Sequence, residues 1–269
     1  MRILLPAVLA LLALYVLAVT GLFLLQRRLL FLPDPSRPDL ARAGLTGARE
    51  IAVETEDGLS LLAWLRPPDR ADGLVLLHLH GNAGHIGHRA HRMKAFESTG
   101  WGYLMLEYRG YGGNPGQVSE TGLLTDARAA LATLGRMGIP PERVLLWGES
   151  LGTNLATRLA AEAPVAALLL EAPYTSIATI ASRRYPYVPV NTLLRDRFDS
   201  IAWIGRSRAP VLVMHGARDR IVPVEMGRAM YAAAPDPKDL WIAAEGGHVD
   251  LLEAGAAVVA RDFVRRVRP

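Results

Sequence analysis

A chain of 269 residues with 25 Gly, 18 Pro and no Cys, 51% hydrophobic and 21% charged, is neither collagenous, disordered nor a disulfide-built scaffold. Its formal net charge of +4 comes from scattered arginines, with lysine only at positions 94 and 238, so no basic stripe marks a nucleic-acid partner. Without cysteine there is no thiol nucleophile and no thiolate metal site; any nucleophile uses oxygen or nitrogen.

The first element is apolar. No charge occurs from Ile3 to Leu25, about 23 residues or roughly 34 Å of helix, slightly more than a bilayer's hydrocarbon core. Residues 1–28 are therefore read as a transmembrane anchor. A cleaved signal peptide is the competing reading, but the run exceeds a usual signal core and no Ala-x-Ala site precedes Gln26. Arg2 before the span and Arg27 and Arg28 after it nearly balance, which leaves the orientation open. Pro33, Pro35 and Pro38 then interrupt helical structure, and residues 29–48 are expected to form an extended juxtamembrane linker.

From residue 49 to 269 the pattern is that of one α/β domain. Glu50 to Thr55 and Leu59 to Leu65, joined through Asp57-Gly58, predict an antiparallel pair at a sheet edge. Leu74–Leu79, Tyr103–Leu106, Val144–Trp147, Ala166–Leu170 and Val211–Met214 are too short for helices and apolar on both parities, as strands covered on both faces are. Helical spacing alternates with them at Ile86–Ser98, Glu120–Arg136, Leu151–Glu162, Val224–Ala233 and Leu251–Val267. The expected fold is a doubly wound, mostly parallel sheet with function at the carboxyl ends of its strands. Residues 173–208 break the alternation and are read as a lid insertion that shapes a substrate pocket.

Gly148-Glu149-Ser150-Leu151-Gly152 lies where an apolar strand meets a helical pattern. A serine there sits on a turn so sharp that side chains two residues before and after would strike neighbouring backbone, which explains the flanking glycines. The turn presents the Ser150 hydroxyl and leaves the Leu151 N–H at a helix start, where oxyanion charge is stabilised. An alcohol needs a base and an orienting acid. His248, in Gly246-Gly247-His248 after Leu240–Ala243, and Asp219, in His215-Gly216-Ala217-Arg218-Asp219, both follow predicted strands. Glu171, directly after the run ending at Leu170, is the rival acid, though Asp219 is favoured. The glycine-rich turn His80-Gly81-Asn82 after Leu79 supplies a second oxyanion donor, assigned to the N–H of Asn82. Five histidines at 78, 80, 85, 88 and 91 invite a metal reading. Positions 85, 88 and 91 fan around a helix without the i, i+4 pairing of a zinc protease, so no metal is expected.

Taken together, Gly148–Gly152, His80-Gly81-Asn82, His215–Asp219, Gly247-His248 and Tyr108-Arg109-Gly110-Tyr111-Gly112 resemble the α/β-hydrolase-fold serine hydrolases. With the N-terminal span and Gln26-Arg27-Arg28, the chain is similar to the membrane-anchored abhydrolase-domain branch, relatives of the bud-emergence protein. The resemblance implies an acyl hydrolase acting on small-molecule or lipid-linked esters or thioesters without a cofactor, and some relatives remove lipid acyl groups from proteins. It puts the nucleophile on Ser150, the acid on Asp219 and the base on His248. The chain departs from the branch at Gly113-Asn114, where a serine is common. A peptidase of prolyl-oligopeptidase type would use the same triad, and a non-catalytic anchored scaffold would keep only the fold.

Overall fold

The computed structural model describes residues 4–268. Residues 1–3, where the predicted anchor begins, lie outside the described residues. The strands run Arg49–Glu54 (β1), Ser60–Arg66 (β2), Val75–Leu79 (β3), Gly102–Leu106 (β4), Val144–Glu149 (β5), Ala167–Glu171 (β6), Val211–Gly216 (β7) and Lys238–Ala243 (β8). They form one sheet in the order β8-β7-β6-β5-β3-β4-β2-β1. β2 runs antiparallel to both β1 and β4, and every other pairing is parallel. The Asp57-Gly58 hairpin therefore forms the sheet edge, as its dipeptide implies.

Because side chains alternate across a strand, the both-parity apolar runs feed two cores. Leu77, Leu146 and Leu168 pack on one face with helices Glu120–Arg136 (α2), Gly152–Glu162 (α3) and Val224–Ala233 (α5). Leu76, Leu145, Trp147 and Leu169 pack on the other with Ala90, Met93, Phe96 and helix Ala256–Val267 (α6). The sheet is doubly wound.

Three stretches differ in detail from their sequence pattern. Residues 86–99 form two 3₁₀ turns, Ile86–Arg89 and Glu97–Thr99, around a short helix Ala90–Lys94, and the Ile86 N–H donates to the Glu107 carboxylate. α6 starts at Ala256 rather than Leu251 because Gly255, at φ +111°, breaks the helical path. Residues 29–48 lie against the domain instead of hanging free: Phe31 is buried, Leu32-Pro33 pairs with Ala83-Gly84, and Asp39 caps a short helix Leu40–Ala43.

The N-terminal helix Leu4–Leu30 (α1) has 27 residues, about 40 Å, and is long and apolar enough to cross a membrane. The insertion at 173–208 contains helix Ile177–Arg184 (α4) and shorter turns at Val190–Leu193 and Ile201–Ile204. Its start is fixed by the Ser176 side chain, which accepts from the Thr179 N–H as an N-cap.

Candidate active site

β5 ends at Glu149 and α3 begins at Gly152, so two residues must reverse from strand to helix. Ser150 takes the strain at φ +47°, a left-handed conformation that L side chains rarely adopt, and its N–H donates to the Glu171 carbonyl at 2.9 Å. The glycines are there for space. A Cβ on Gly148 would come 2.6 Å from the Gly152 carbonyl oxygen, and one on Gly152 would collide with the backbone carbonyl of Leu79. Gly152→Ala is therefore expected to destabilise the fold by at least about 3 kcal/mol. Gly135→Ala, at an exposed helical glycine with open space around it, should be neutral or stabilising by up to about 1 kcal/mol. Thermal denaturation of the two variants side by side checks both.

Three of the predicted side chains meet. His248 Nε2 lies 2.9 Å from Ser150 Oγ, and His248 Nδ1 lies 2.7 Å from Asp219 Oδ2. Ser150 follows β5, Asp219 follows β7 and His248 follows β8, so three strand ends on one edge of the sheet bring together groups far apart in the chain. Asp219 Oδ1 accepts from the N–H groups of Ile221 and Val222, each at 2.8 Å. Burial by itself would raise the Asp219 pKa, but hydrogen bonds from His215 and His248 and from the Val222 amide outweigh it and hold the carboxyl well below the usual carboxylate range.

Asn82 follows β3 in a turn packed against the serine: a Cβ on Gly81 would lie 3.5 Å from Ser150 Cβ. Among the described residues, neither the Asn82 nor the Leu151 N–H donates to a protein acceptor. The Asn82 side chain is engaged elsewhere. Its Oδ1 accepts from Tyr111 Oη at 3.0 Å and from the Leu32 N–H at 3.3 Å, and its Nδ2 donates to the Leu30 carbonyl at 2.5 Å.

The rival acid, Glu171, is fully buried and committed to other partners: Arg92 Nη1 donates to it at 2.6 Å and Trp147 Nε1 at 3.0 Å. Two positioning residues escaped the sequence reading. His215 is buried, with Nε2 2.9 Å from the Val222 carbonyl and 3.4 Å from Asp219 Oδ2. Its i, i+4 spacing to Asp219 was the available signal. Arg92 joins Glu171 to Glu149, the residue before the serine, and nothing local in its sequence distinguishes it from a surface arginine.

Of the five clustered histidines, His78 and His80 are buried, and His80 stacks on Tyr108 with ring centroids 4.0 Å apart. Asp34, His85 and His88 bring ligand atoms within 4.8 Å of one another. The two imidazoles stack at 3.9 Å and 17°, so their nitrogen lone pairs run side by side rather than converge on one ion.

Comparison with known proteins agrees with this fold. The family described as serine aminopeptidase, S33, matches residues 69–202. An uncharacterized protein of Mycobacterium tuberculosis strain H37Rv is 41% identical over 227 residues, covering 84% of this chain and 81% of that one. The lysophosphatidylserine lipase ABHD12 of Danio rerio is 29% identical over 260 residues, covering 80% of this chain and 68% of the relative. Among solved structures, the Pyrococcus furiosus esterase Pf2001 superposes with a TM-score of 0.72 at 15% identity, over 89% of this chain and 98% of that one, a likeness of fold. With an eight-stranded sheet of this order and relatives of this similarity, the chain belongs to the abhydrolase-domain α/β hydrolases and is a hydrolase.

Proposed function

We propose that the protein cleaves carboxylic esters or thioesters of acyl lipids by way of a covalent acyl-enzyme on Ser150, held at the membrane by α1. The observation that carries this reading is His248, which bridges Ser150 Oγ at 2.9 Å and Asp219 at 2.7 Å in one file. His248 Nε2 takes the hydroxyl proton as Ser150 Oγ attacks the acyl carbonyl. Asp219 keeps the imidazole Nδ1–H aimed at itself, so the tautomer with a free Nε2 is the one present, and it stabilises the imidazolium that forms. The Leu151 and Asn82 amides receive the tetrahedral oxyanion. His248 then returns the proton to the departing alcohol or thiol, and a water activated by the same imidazole releases the acid. No cofactor takes part in these steps. The Danio rerio relative's activity on lysophosphatidylserine and the apolar length of α1 both support a lipid-linked substrate.

A panel of acyl esters and thioesters against peptide amides tests this. Turnover of the esters without the amides is expected; the reverse would favour an aminopeptidase, the reading that the S33 match suggests. Asp219→Asn should lower kcat on the order of 10⁴-fold while leaving Ser150 in place, because the imidazole loses its preferred tautomer. The same carboxylate links to stability. Its folded pKa is depressed, so its stabilising contribution is present above about pH 4 and fades as pH falls below that. In urea titrations, the stability gap between the unaltered protein and Asp219→Asn should narrow from about pH 5 towards pH 2.

A further inference from the structure

The lid meets the N-terminal helix along an apolar groove of about 240 Å³. Leu22, Phe23 and Leu30 of α1 form one wall, and Ile177, Ile180 and Ala181 of α4 form the other. The two walls are locked together at the domain end. Arg27 Nε donates to Asp196 at 2.7 Å, the Arg195 N–H donates to Gln26 Oε1 at 2.8 Å, and the Arg195 guanidinium lies 4.4 Å from the Phe23 ring centroid. Asp196 is itself buried and also accepts from the Glu120 N–H, so this junction is anchored in the fold. The groove has a defined geometry.

Its inner end is joined by one hydrogen bond to the turn beside Ser150. Leu30 lines the groove, and its carbonyl accepts from the Asn82 side chain, in the turn that packs against Ser150. Its outer end lies along the apolar span of α1. Tyr15 Oη donates to the Tyr187 carbonyl at 2.8 Å, and Tyr15 lies about 22 Å along the axis from Leu30, near the middle of the apolar span. The lid tip Tyr185-Pro186-Tyr187-Val188-Pro189 thus runs beside a helix segment that has no business in water, with Tyr187 86% exposed and Tyr185 45% exposed. The exposed Arg183 and Arg184 can extend back to the polar side.

We infer that α1 and the lid together form the binding site for the acyl chain of a membrane lipid ester, which enters laterally from the bilayer and delivers its carbonyl to Ser150. The inference rests on the serine-hydrolase reading above. α1 is then a wall of the substrate site as well as a tether, which explains why it runs on past the apolar span to Leu30 and is hydrogen-bonded to the oxyanion turn. An apolar slot of this shape selects for chain length, since each additional buried methylene adds to binding until the slot is full.

The test uses the full-length protein in detergent micelles with p-nitrophenyl butanoate and p-nitrophenyl palmitate. Ala181→Trp fills the groove from the lid, and Leu22→Trp fills it from α1, a helix with no buried residue, so that folding does not depend on that position. Each variant is expected to lose at least about tenfold in kcat/KM on palmitate while butanoate changes by less than about twofold. A monoacyl phospholipid added to the same micelles should compete with palmitate hydrolysis by the unaltered enzyme and compete less in both variants. If Leu22→Trp leaves the palmitate-to-butanoate ratio unchanged, the groove does not hold the chain and the inference fails. If the unaltered enzyme hydrolyses neither ester, the serine-hydrolase reading itself fails, which is a separate outcome.

Discussion

Replacing Ser150 with alanine is expected to abolish labelling by a fluorophosphonate probe and to reduce kcat by about 10⁴- to 10⁶-fold. In the proposed mechanism the loss is large because the hydroxyl is the only atom that forms the acyl bond, and its neighbours lose their purpose with it: without Oγ, His248 has no proton to take. A residual rate of roughly 10³-fold over water would reflect the amides of Leu151 and Asn82 acting on bound substrate. The alanine should fold. Ser150 sits at φ +47°, a strain that serine and alanine share, and the glycines around it are untouched. The measurement is gel fluorescence of labelled protein alongside ester turnover, with circular dichroism as the folding control. Labelling that persists in Ser150→Ala would place the nucleophile elsewhere and remove the proposed mechanism.

Arg92→Ala is expected to cost about 3–5 kcal/mol of stability, because it strands two carboxylates rather than merely deleting a contact. Arg92 is 4% exposed and reaches Glu171 at 2.6 Å and Glu149 at 3.3 Å. Burial pushes both carboxyls towards protonation. For Glu149 the charges of Arg92 and Arg89 and the His78 ring 3.7 Å away reverse that and hold it well below the usual range. For Glu171 burial prevails, helped by the neighbouring Glu149 charge, and its pKa is raised despite Arg92.

Removing the guanidinium leaves Glu171 with only the Trp147 N–H, and Glu149 with Arg89 and His78, to set against burial. A carboxyl whose folded pKa is raised binds a proton that the unfolded chain has already released, so stability falls as pH rises through that pKa. The deficit of Arg92→Ala should therefore be largest near neutrality and shrink as pH falls towards about 5. Thermal denaturation would register it as a drop in Tm on the order of 10 °C at pH 7. A deficit that does not change with pH would mean that Arg92 acts by packing alone. Activity should fall as well, since Glu149 precedes Ser150, the proposed nucleophile, and the Glu171 carbonyl accepts the Ser150 N–H at 2.9 Å.

Much of the fold was legible in residue patterns, because the patterns and the forces are both local. Strands buried on both faces must be apolar at every position, so Val75–Leu79, Val144–Trp147 and Val211–Met214 could be found without a partner in view. The strand-to-helix turn at Ser150 leaves its mark as two glycines, since the collisions that demand them arise within a few residues and one adjacent strand. An uncharged run long enough to cross a bilayer is likewise a property of a single segment. Asp219 and His248 could be nominated because strand ends collect function, but only as candidates among several polar residues at that edge.

Tertiary structure decided what depends on distance. Ser150 and His248 are 98 residues apart in the chain, and their 2.9 Å approach exists only because β5 and β8 end on the same side of one sheet. Glu171 was excluded from pairing with His248 by Arg92, 79 residues away, which no periodicity reveals. The stretch after α1 has the prolines of a free linker, yet it is seated by Asn82, Gly84 and the pocket around Phe31, partners that its own composition does not encode. The sequence by itself determined most of the elements, the elbow and the apolar N-terminal helix, since backbone sterics and burial act over a few neighbouring residues. Which polar groups face one another, and where the lid meets α1, follow from sheet order and packing, because hydrogen bonds and ion pairs form only between groups that the completed fold has already brought within reach.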